Sequence, residues 1–181
     1  MRPHRRNDIN REAVIKRILV WGALLFILAV AQCSFFTGLT FMPAVPNILL
    51  GAVAAISVFD TQRSAAVCGI AAGFLGDALG GSGISLSPLA LLVVAIVSAE
   101  LSKKLIPNFF TWAVLLIPAS LIGSVFTFVN LFISFGRPSF ASVFKSILLP
   151  ELLMTVICSL PLFFIVKLCA RLIDAKGKFK I

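Results

Sequence analysis

Two carboxylates lie within or beside long apolar stretches, where an ionisable side chain is costly to place and is often functional. Asp77 stands near the end of one stretch, in the run GFLGDALGG over residues 73–81, and Glu151 opens another. A carboxylate in a first helical turn complements the helix dipole, which suffices to explain Glu151. The dipole has the wrong sign at Asp77, so we expect Asp77 to hold a backbone donor or a cation such as Arg137 or Lys145.

Neither carboxylate is accompanied by the groups that catalysis needs. His4 is the only histidine, and no GxSxG sequence occurs. The glycines at 80, 81 and 83 are not followed by the Lys-Ser/Thr pair of a phosphate-binding loop. None of the four cysteines forms a CxxC pair, which favours buried, inert thiols over a metal or disulfide site. The sequence predicts no enzyme, no cofactor and no metal centre.

A stripe of glycines accompanies Asp77. Gly69, Gly73, Gly76 and Gly80 are spaced i, i+4, i+7 and i+11, which places them on one face of one helix. Small residues at this spacing let a second helix backbone approach closely in lipid. The second helix could belong to this chain or to a partner protein, and the spacing favours neither.

The elements that position these residues are strongly apolar. Of the 181 residues, 60% are hydrophobic and 13% are charged, and the mean hydropathy is +1.08. A water-soluble domain of this size could not bury so much apolar surface, so lipid is the expected solvent. The net charge of +9 does not indicate a nucleic-acid partner, because the basic N-terminal stretch contains no aromatic residue.

Six apolar segments predict an all-α, polytopic membrane protein with six transmembrane helices. The domain over residues 18–173 lies between basic tails, 1–17 and 174–181. The second segment is short for a hydrocarbon core of about 30 Å. The segments cover about residues 18–36, 48–59, 64–79, 88–101, 111–135 and 149–173.

The loop before the sixth segment offers one further element. Phe140, Val143, Phe144 and Ile147 recur at helical spacing, and Ser139 could cap a helix start. The pattern fits either a short amphipathic helix in the membrane interface or the beginning of the sixth span.

Several polar and aromatic residues lie near the inner span ends. Trp21 and Trp112 are expected to be interface anchors. Asp60 and Arg63 are expected to form a local turn without a functional role. Glu100 and the lysines after it are expected to form a solvated helix end.

These stretches, taken in order, resemble the family of the rod shape-determining protein MreD. The resemblance extends over about residues 18–173, and its most specific part is the glycine-and-aspartate run. Asn47 departs from the family pattern, in which many members carry an acid. The residues that carry the resemblance are Pro46-Asn47-Ile48-Leu49-Leu50, the turn around Arg63, the run from Gly69 to Gly81, Gly83, Leu86, Leu149-Pro150-Glu151-Leu152-Leu153-Met154-Thr155 and Pro161.

The resemblance implies a non-enzymatic subunit of the bacterial elongation machinery in the plasma (inner) membrane. Such proteins bind MreC and help to link MreB filaments to the RodA glycosyltransferase and its penicillin-binding transpeptidase. The MreD fold is similar to that of the vitamin-binding S components of energy-coupling-factor transporters, which is the alternative function. A vitamin site would need polar and aromatic groups around an outward pocket, and the absence of tyrosine favours the scaffold.

The distribution of basic residues predicts the topology. With six spans and a cytoplasmic N-terminus, fourteen basic residues face the cytoplasm, and only Arg137 and Lys145 face outward. This excess predicts that both termini are cytoplasmic. Reporter fusions at each terminus should therefore both report a cytoplasmic location, and an external signal from either one would contradict the six-span topology.

Overall fold

Six α-helices make up most of the described part of the chain in a computed structural model, which describes residues 4–36, 46–80, 86–104, 109–135, 144 and 148–174. The predicted all-α fold is confirmed, and the helices follow the six apolar segments. They are α1 (His4–Ala31), α2 (Ile48–Phe59), α3 (Gln62–Gly80), α4 (Ser87–Ser102), α5 (Phe109–Phe135) and α6 (Leu149–Asp174).

The first helix differs from the prediction at both of its ends. It begins at His4, so most of the stretch expected to be a basic tail is helical. After Ala31 the chain continues as a π-helical segment, Gln32–Phe36. The predicted interface helix before α6 falls largely outside the described residues, as does Phe140, whereas Phe144 is described and exposed.

Three helical stretches are long and apolar enough to cross a membrane: Val14–Ser34, Phe109–Ile133 and Leu149–Ile173. The helices α2 and α4 are also apolar but shorter. Most large apolar side chains of α1, α5 and α6 that are not in the core are exposed, which is the arrangement expected of lipid-facing surfaces. The three long apolar helices indicate a multi-pass membrane protein.

The short helix α2 occupies the centre of the bundle. Its residues from Ile48 to Ser57 are all buried, and each of the other five helices packs against it. A helix that is apolar on all sides is stable only when other elements surround it. At 1.5 Å per residue α2 is about 18 Å long, shorter than a hydrocarbon core of about 30 Å, so at least one of its ends lies at membrane depth.

The described basic side chains gather at one end of the bundle, which we call the basic end. There Lys103 Nζ, just after α4, donates to Gln62 Oε1 at the start of α3 over 3.0 Å. Lys16 Nζ of α1 donates to the backbone oxygen of Leu172, near the end of α6, over 2.5 Å. The opposite end contains the start of α2 and the two candidate carboxylates, Asp77 and Glu151.

The glycine stripe packs inside the chain at two of its four positions. A Cβ atom added to Gly69 would lie 2.6 Å from the backbone oxygen of Leu91 in α4. One added to Gly73 would collide with the backbone of Pro88, at 2.6 Å from its nitrogen. The pair α3 and α4 has the most extensive contact of any two helices. The sequence left open whether the glycine stripe packs within this chain or against a partner protein. For Gly69 and Gly73 the close neighbour is α4 of the same chain.

The other two stripe glycines are less constrained. A Cβ atom at Gly76 would lie 3.1 Å from Leu49 Cδ1 of α2, a side chain that can move. A Cβ atom at Gly80 would have no atom within 4 Å. The stripe therefore becomes more open toward the end of α3.

Two further glycines, which no sequence pattern singles out, bring other helices close to α2. A Cβ atom at Gly51 would lie 2.7 Å from Ser159 Cβ of α6. One at Gly123 of α5 would lie 2.5 Å from Leu50 Cδ1. Because these two glycines have no side chain, α5 and α6 can approach the central helix.

Replacement of Gly73 by alanine should destabilise the bundle, because the backbone of Pro88 cannot move aside as a flexible side chain can. Overpacking of this kind typically costs about 1–3 kcal/mol. Gly80→Ala is the matched control in the same stripe and should stay within about 0.5 kcal/mol of the parent protein. Thermal unfolding of both variants in detergent checks this prediction, and equal stability would show that the α3–α4 contact is not as close as described.

Candidate functional site

The N-terminus of α2 lies within the bundle at the opposite end, where its amides need acceptors from the protein. Asn47 is the N-cap, and its Oδ1 accepts a hydrogen bond from the Leu50 amide over 3.2 Å. The amide of Asn47 donates to Thr155 Oγ1 of α6 over 2.9 Å. The residue that departs from the MreD pattern therefore has a structural role here, because an amide side chain caps the buried helix.

The amides of Ile48 and Leu49, the first two residues of α2, also have acceptors. The Leu49 amide donates to Gln32 Oε1, in the π-helical segment after α1, over 3.1 Å. The Ile48 amide donates to the backbone oxygen of Pro46 over 3.1 Å. Side chains from α6 and from the segment after α1 thus complete the hydrogen bonding of the start of α2.

Two small cavities, each of about 160 Å³, adjoin Asn47 and have polar side chains in their lining. A third cavity, of about 10 Å³, lies beside Glu151. Among the described residues, the polar lining is neutral apart from the two carboxylates. It consists of Asn47, Ser87, Thr127 and Asn130 in the first cavity, Gln32, Asn47, Asp77 and Ser87 in the second, and Asn47, Ser120, Ser124, Glu151 and Thr155 in the third.

The two candidate carboxylates occupy different cavities. Glu151 is in the first turn of α6, as the helix-dipole interpretation predicts, and its carboxyl is hydrogen-bonded to the Thr127 side chain of α5. Asp77 lines the second cavity and is partly exposed. The cations expected beside Asp77, Arg137 and Lys145, lie outside the described residues, so this expectation stays a prediction.

A second polar cluster lies at the basic end and is centred on Asp60. Its carboxylate, which is 4% exposed, pairs with Arg17 Nη1 of α1 at 3.2 Å. It also accepts hydrogen bonds from Trp21 Nε1 at 2.8 Å, Ser64 Oγ at 2.9 Å and the Thr61 amide at 2.6 Å. The expected local turn is therefore only part of the role of Asp60, because this residue joins α1 to the connection between α2 and α3.

The prediction that the two tryptophans are interface anchors is wrong. Trp21 is 2% exposed because its indole N–H is directed to Asp60 inside the bundle. Trp112 is fully buried, with its ring centroid 5.4 Å from that of Phe163 and 5.7 Å from that of Phe109. Proximity to a span end does not determine whether an aromatic residue faces lipid or the core.

The polar residues that surround Asn47 and Glu151, and the cation that pairs with Asp60, were not predicted from the sequence. Gln32 and Thr155 are polar residues within apolar runs, and this feature alone is a usable signal. Thr127 and Asn130 stand one helical turn apart in α5 and carry the same signal. Arg17 carries no comparable signal, because a basic residue at a span end is already explained by topology.

The site combines neutral hydrogen-bonding groups with two separated carboxylates in a membrane-embedded bundle. Among the described residues, no group of three or more His, Cys, Asp or Glu side chains could hold a metal ion. The fold and site define a multi-pass, all-α membrane protein with a polar layer around a buried helix start. In the comparisons with known proteins, no family model, curated protein or solved structure matches the chain.

Loss of Arg17 should be costly, since it leaves the buried Asp60 carboxylate without its cation. Arg17→Met should destabilise the protein by about 3–5 kcal/mol, the range for breaking one side of a buried ion pair. Adding Asp60→Asn to this variant should restore part of the loss. Lys104→Met, which removes an exposed cation at the same end, is the control and should have little effect. Melting temperatures in detergent provide the measurement, and equal losses for the two single variants would contradict the role of the pair.

Proposed function

We propose that the protein is a non-enzymatic membrane subunit of the bacterial cell-elongation machinery. In this proposal it crosses the plasma membrane six times, keeps both termini in the cytoplasm and binds a single-span, MreC-like protein. Through that partner it helps to couple MreB filaments to the RodA glycosyltransferase and its transpeptidase. The ordered resemblance to MreD, from Pro46 to Pro161, supplies the identity of the machinery.

The observation that carries the choice of a scaffold is the size of the polar cavities that the described residues line. Each of the two larger ones measures about 160 Å³. Small-molecule sites usually measure about 300–1,000 Å³. Phe126 is the one aromatic residue among the described residues that line either cavity, so a flat ring would lack stacking partners. This interior suits ordered water better than a vitamin.

The arrangement of charge supports the proposed topology. Asp60 is paired at the basic end, whereas Asp77 and Glu151 lie at the opposite end. Lys16 of α1 and the end of α6 meet at the basic end, since Lys16 contacts the backbone of Leu172. A cytoplasmic basic end agrees with the excess of basic residues on cytoplasmic sides of membrane proteins.

One observation favours the alternative function, a vitamin-binding S component. The sequence offers no tyrosine for a vitamin pocket, but amides and hydroxyls do gather around Asn47. Their position between helices at one end of a bundle is a common place for a ligand site. The cavities would have to enlarge by about twofold to reach the lower limit of that size range.

Co-purification tests the scaffold against the transporter subunit. The tagged protein should retain an untagged, MreC-like protein when the two are co-expressed, and an unrelated single-span protein should serve as the control. The purified protein should show no change in melting temperature with thiamine or riboflavin. A vitamin-dependent rise in melting temperature, without retention of the MreC-like protein, would favour the transporter and contradict the scaffold.

A further inference from the structure

Among the basic residues of the two terminal helices whose side chains are described, Lys16 and Arg17 of α1 have partners inside the bundle. Lys16 Nζ donates to the backbone oxygen of Leu172 over 2.5 Å. Arg17 Nη1 lies 3.2 Å from Asp60 Oδ1. Hydrogen bonds and ion pairs within the fold therefore account for the positions of both residues.

The basic residues of α6, Lys167 and Arg171, have a different environment. Within the described residues, the ion pairs join Arg17 to Asp60 and Lys103 to Glu100, and neither involves a cation of α6. The Lys167 ammonium lies 5.7 Å from the centre of the Phe163 ring, a cation–π contact.

Lys167 also lies within the apolar part of the helix. The candidate span ends at Ile173, six residues after Lys167, so Lys167 is about 9 Å of helix rise inside it. A lysine at this depth extends its ammonium group toward the membrane surface, where it needs an anionic partner or water.

An exposed aromatic surface adjoins Lys167, and Arg171 lies one helical turn after Lys167 in α6. We define the aromatic surface as Phe109, Phe110 and Phe164, which are 42%, 77% and 64% exposed. The rings of Phe109 and Phe164 stack across the α5–α6 boundary with centroids 6.0 Å apart. Phe109 also meets Phe163, the ring beneath Lys167, at 5.4 Å. Aromatic rings and cations are thus continuous at the place where the helices leave the apolar layer.

The sequence of α6 and of the residues after it is basic overall. From Leu152 to the end of the chain, the sequence contains five basic residues and one acid, Asp174. Asp174 can neutralise at most one of them. A ligand that complements this surface therefore carries negative charge at the headgroup level and apolar surface toward the bilayer centre.

We propose that the α5–α6 boundary at the basic end binds an anionic phospholipid, with its phosphate at Lys167 and Arg171 and its acyl chains against the aromatic surface. Basic groups between membrane helices bind such headgroups, and interfacial aromatic rings pack beside them. An acidic protein segment would satisfy the two cations but would leave the rings at membrane depth uncovered. This site is independent of the proposed function, because it requires neither an MreC-like partner nor a vitamin.

Charge-matched variants of the full-length protein test the site. Lys167→Gln with Arg171→Gln removes two cations at the boundary, and Arg63→Gln with Lys104→Gln removes two exposed cations elsewhere at the basic end. Bound phosphatidylglycerol and phosphatidylcholine are measured by native mass spectrometry and by the melting temperature in detergent. The parent protein should prefer phosphatidylglycerol. The first pair should weaken that binding by roughly 30-fold, from about a fivefold loss per basic residue, and the second pair should retain it.

Two further double variants distinguish lipid binding from misfolding and from protein binding. Lys167→Arg with Arg171→Lys keeps the charge and should keep the preference, which controls for misfolding. Phe110→Ala with Phe164→Ala should weaken binding of both lipids. Equal losses in the two charge-removing pairs, or no loss in either, would overturn the proposal. It would also be overturned if the first pair retained phosphatidylglycerol but lost capture of an MreC-like protein, since the surface would then be a protein-binding one.

Discussion

The start of α2 imposes the constraint on which the arrangement of the other helices depends. A helix start exposes amides that have no partner within the helix, and at membrane depth each unpaired amide costs several kcal/mol. The apolar sequence of α2 supplies only the Asn47 side chain for this purpose. Thr155 of α6 and Gln32 after α1 complete the set. The positions of three helices relative to one another are therefore fixed by hydrogen bonds to a single buried turn.

A buried central helix also requires its neighbours to pack closely around it. Gly51 in α2 and Gly123 in α5 remove side chains at the contacts with α6 and with Leu50. Gly69 and Gly73 do the same between α3 and α4, beside the central helix. Where side chains are small, backbones approach and dispersion contacts multiply, which is the main source of helix association in lipid. The polar layer and the glycine contacts therefore serve the same architecture, one by pairing amides and the other by allowing close approach.

The helices could be predicted from the sequence because hydropathy alone determines which segments avoid water. The partners of individual side chains could not, since a stripe such as the one through Gly73 identifies a helix face but not the helix that meets it. The same limit applies to Asp60, whose ion pair with Arg17 joins residues far apart in the chain. Trp21 shows the consequence, because the carboxylate that attracts its indole inward lies in the connection between α2 and α3. Asn47 stands out in the sequence only as a departure from a family pattern, and its capping role follows from the position of α2.

Two helix ends in this bundle receive part of their capping from distant parts of the chain. Local rules look for a cap within a few residues of a helix end, and Asn47 obeys them. The amide of Leu49, however, is satisfied by Gln32, 17 residues earlier, and the terminal carbonyl of Leu172 by Lys16, 156 residues away. The donor, Lys16, belongs to α1, and the acceptor, Gln32, belongs to the segment that continues α1. The two contacts lie near opposite ends of the membrane-spanning part. Because α1 completes the start of one helix and the end of another, its displacement would leave unpaired backbone groups at both ends of the bundle.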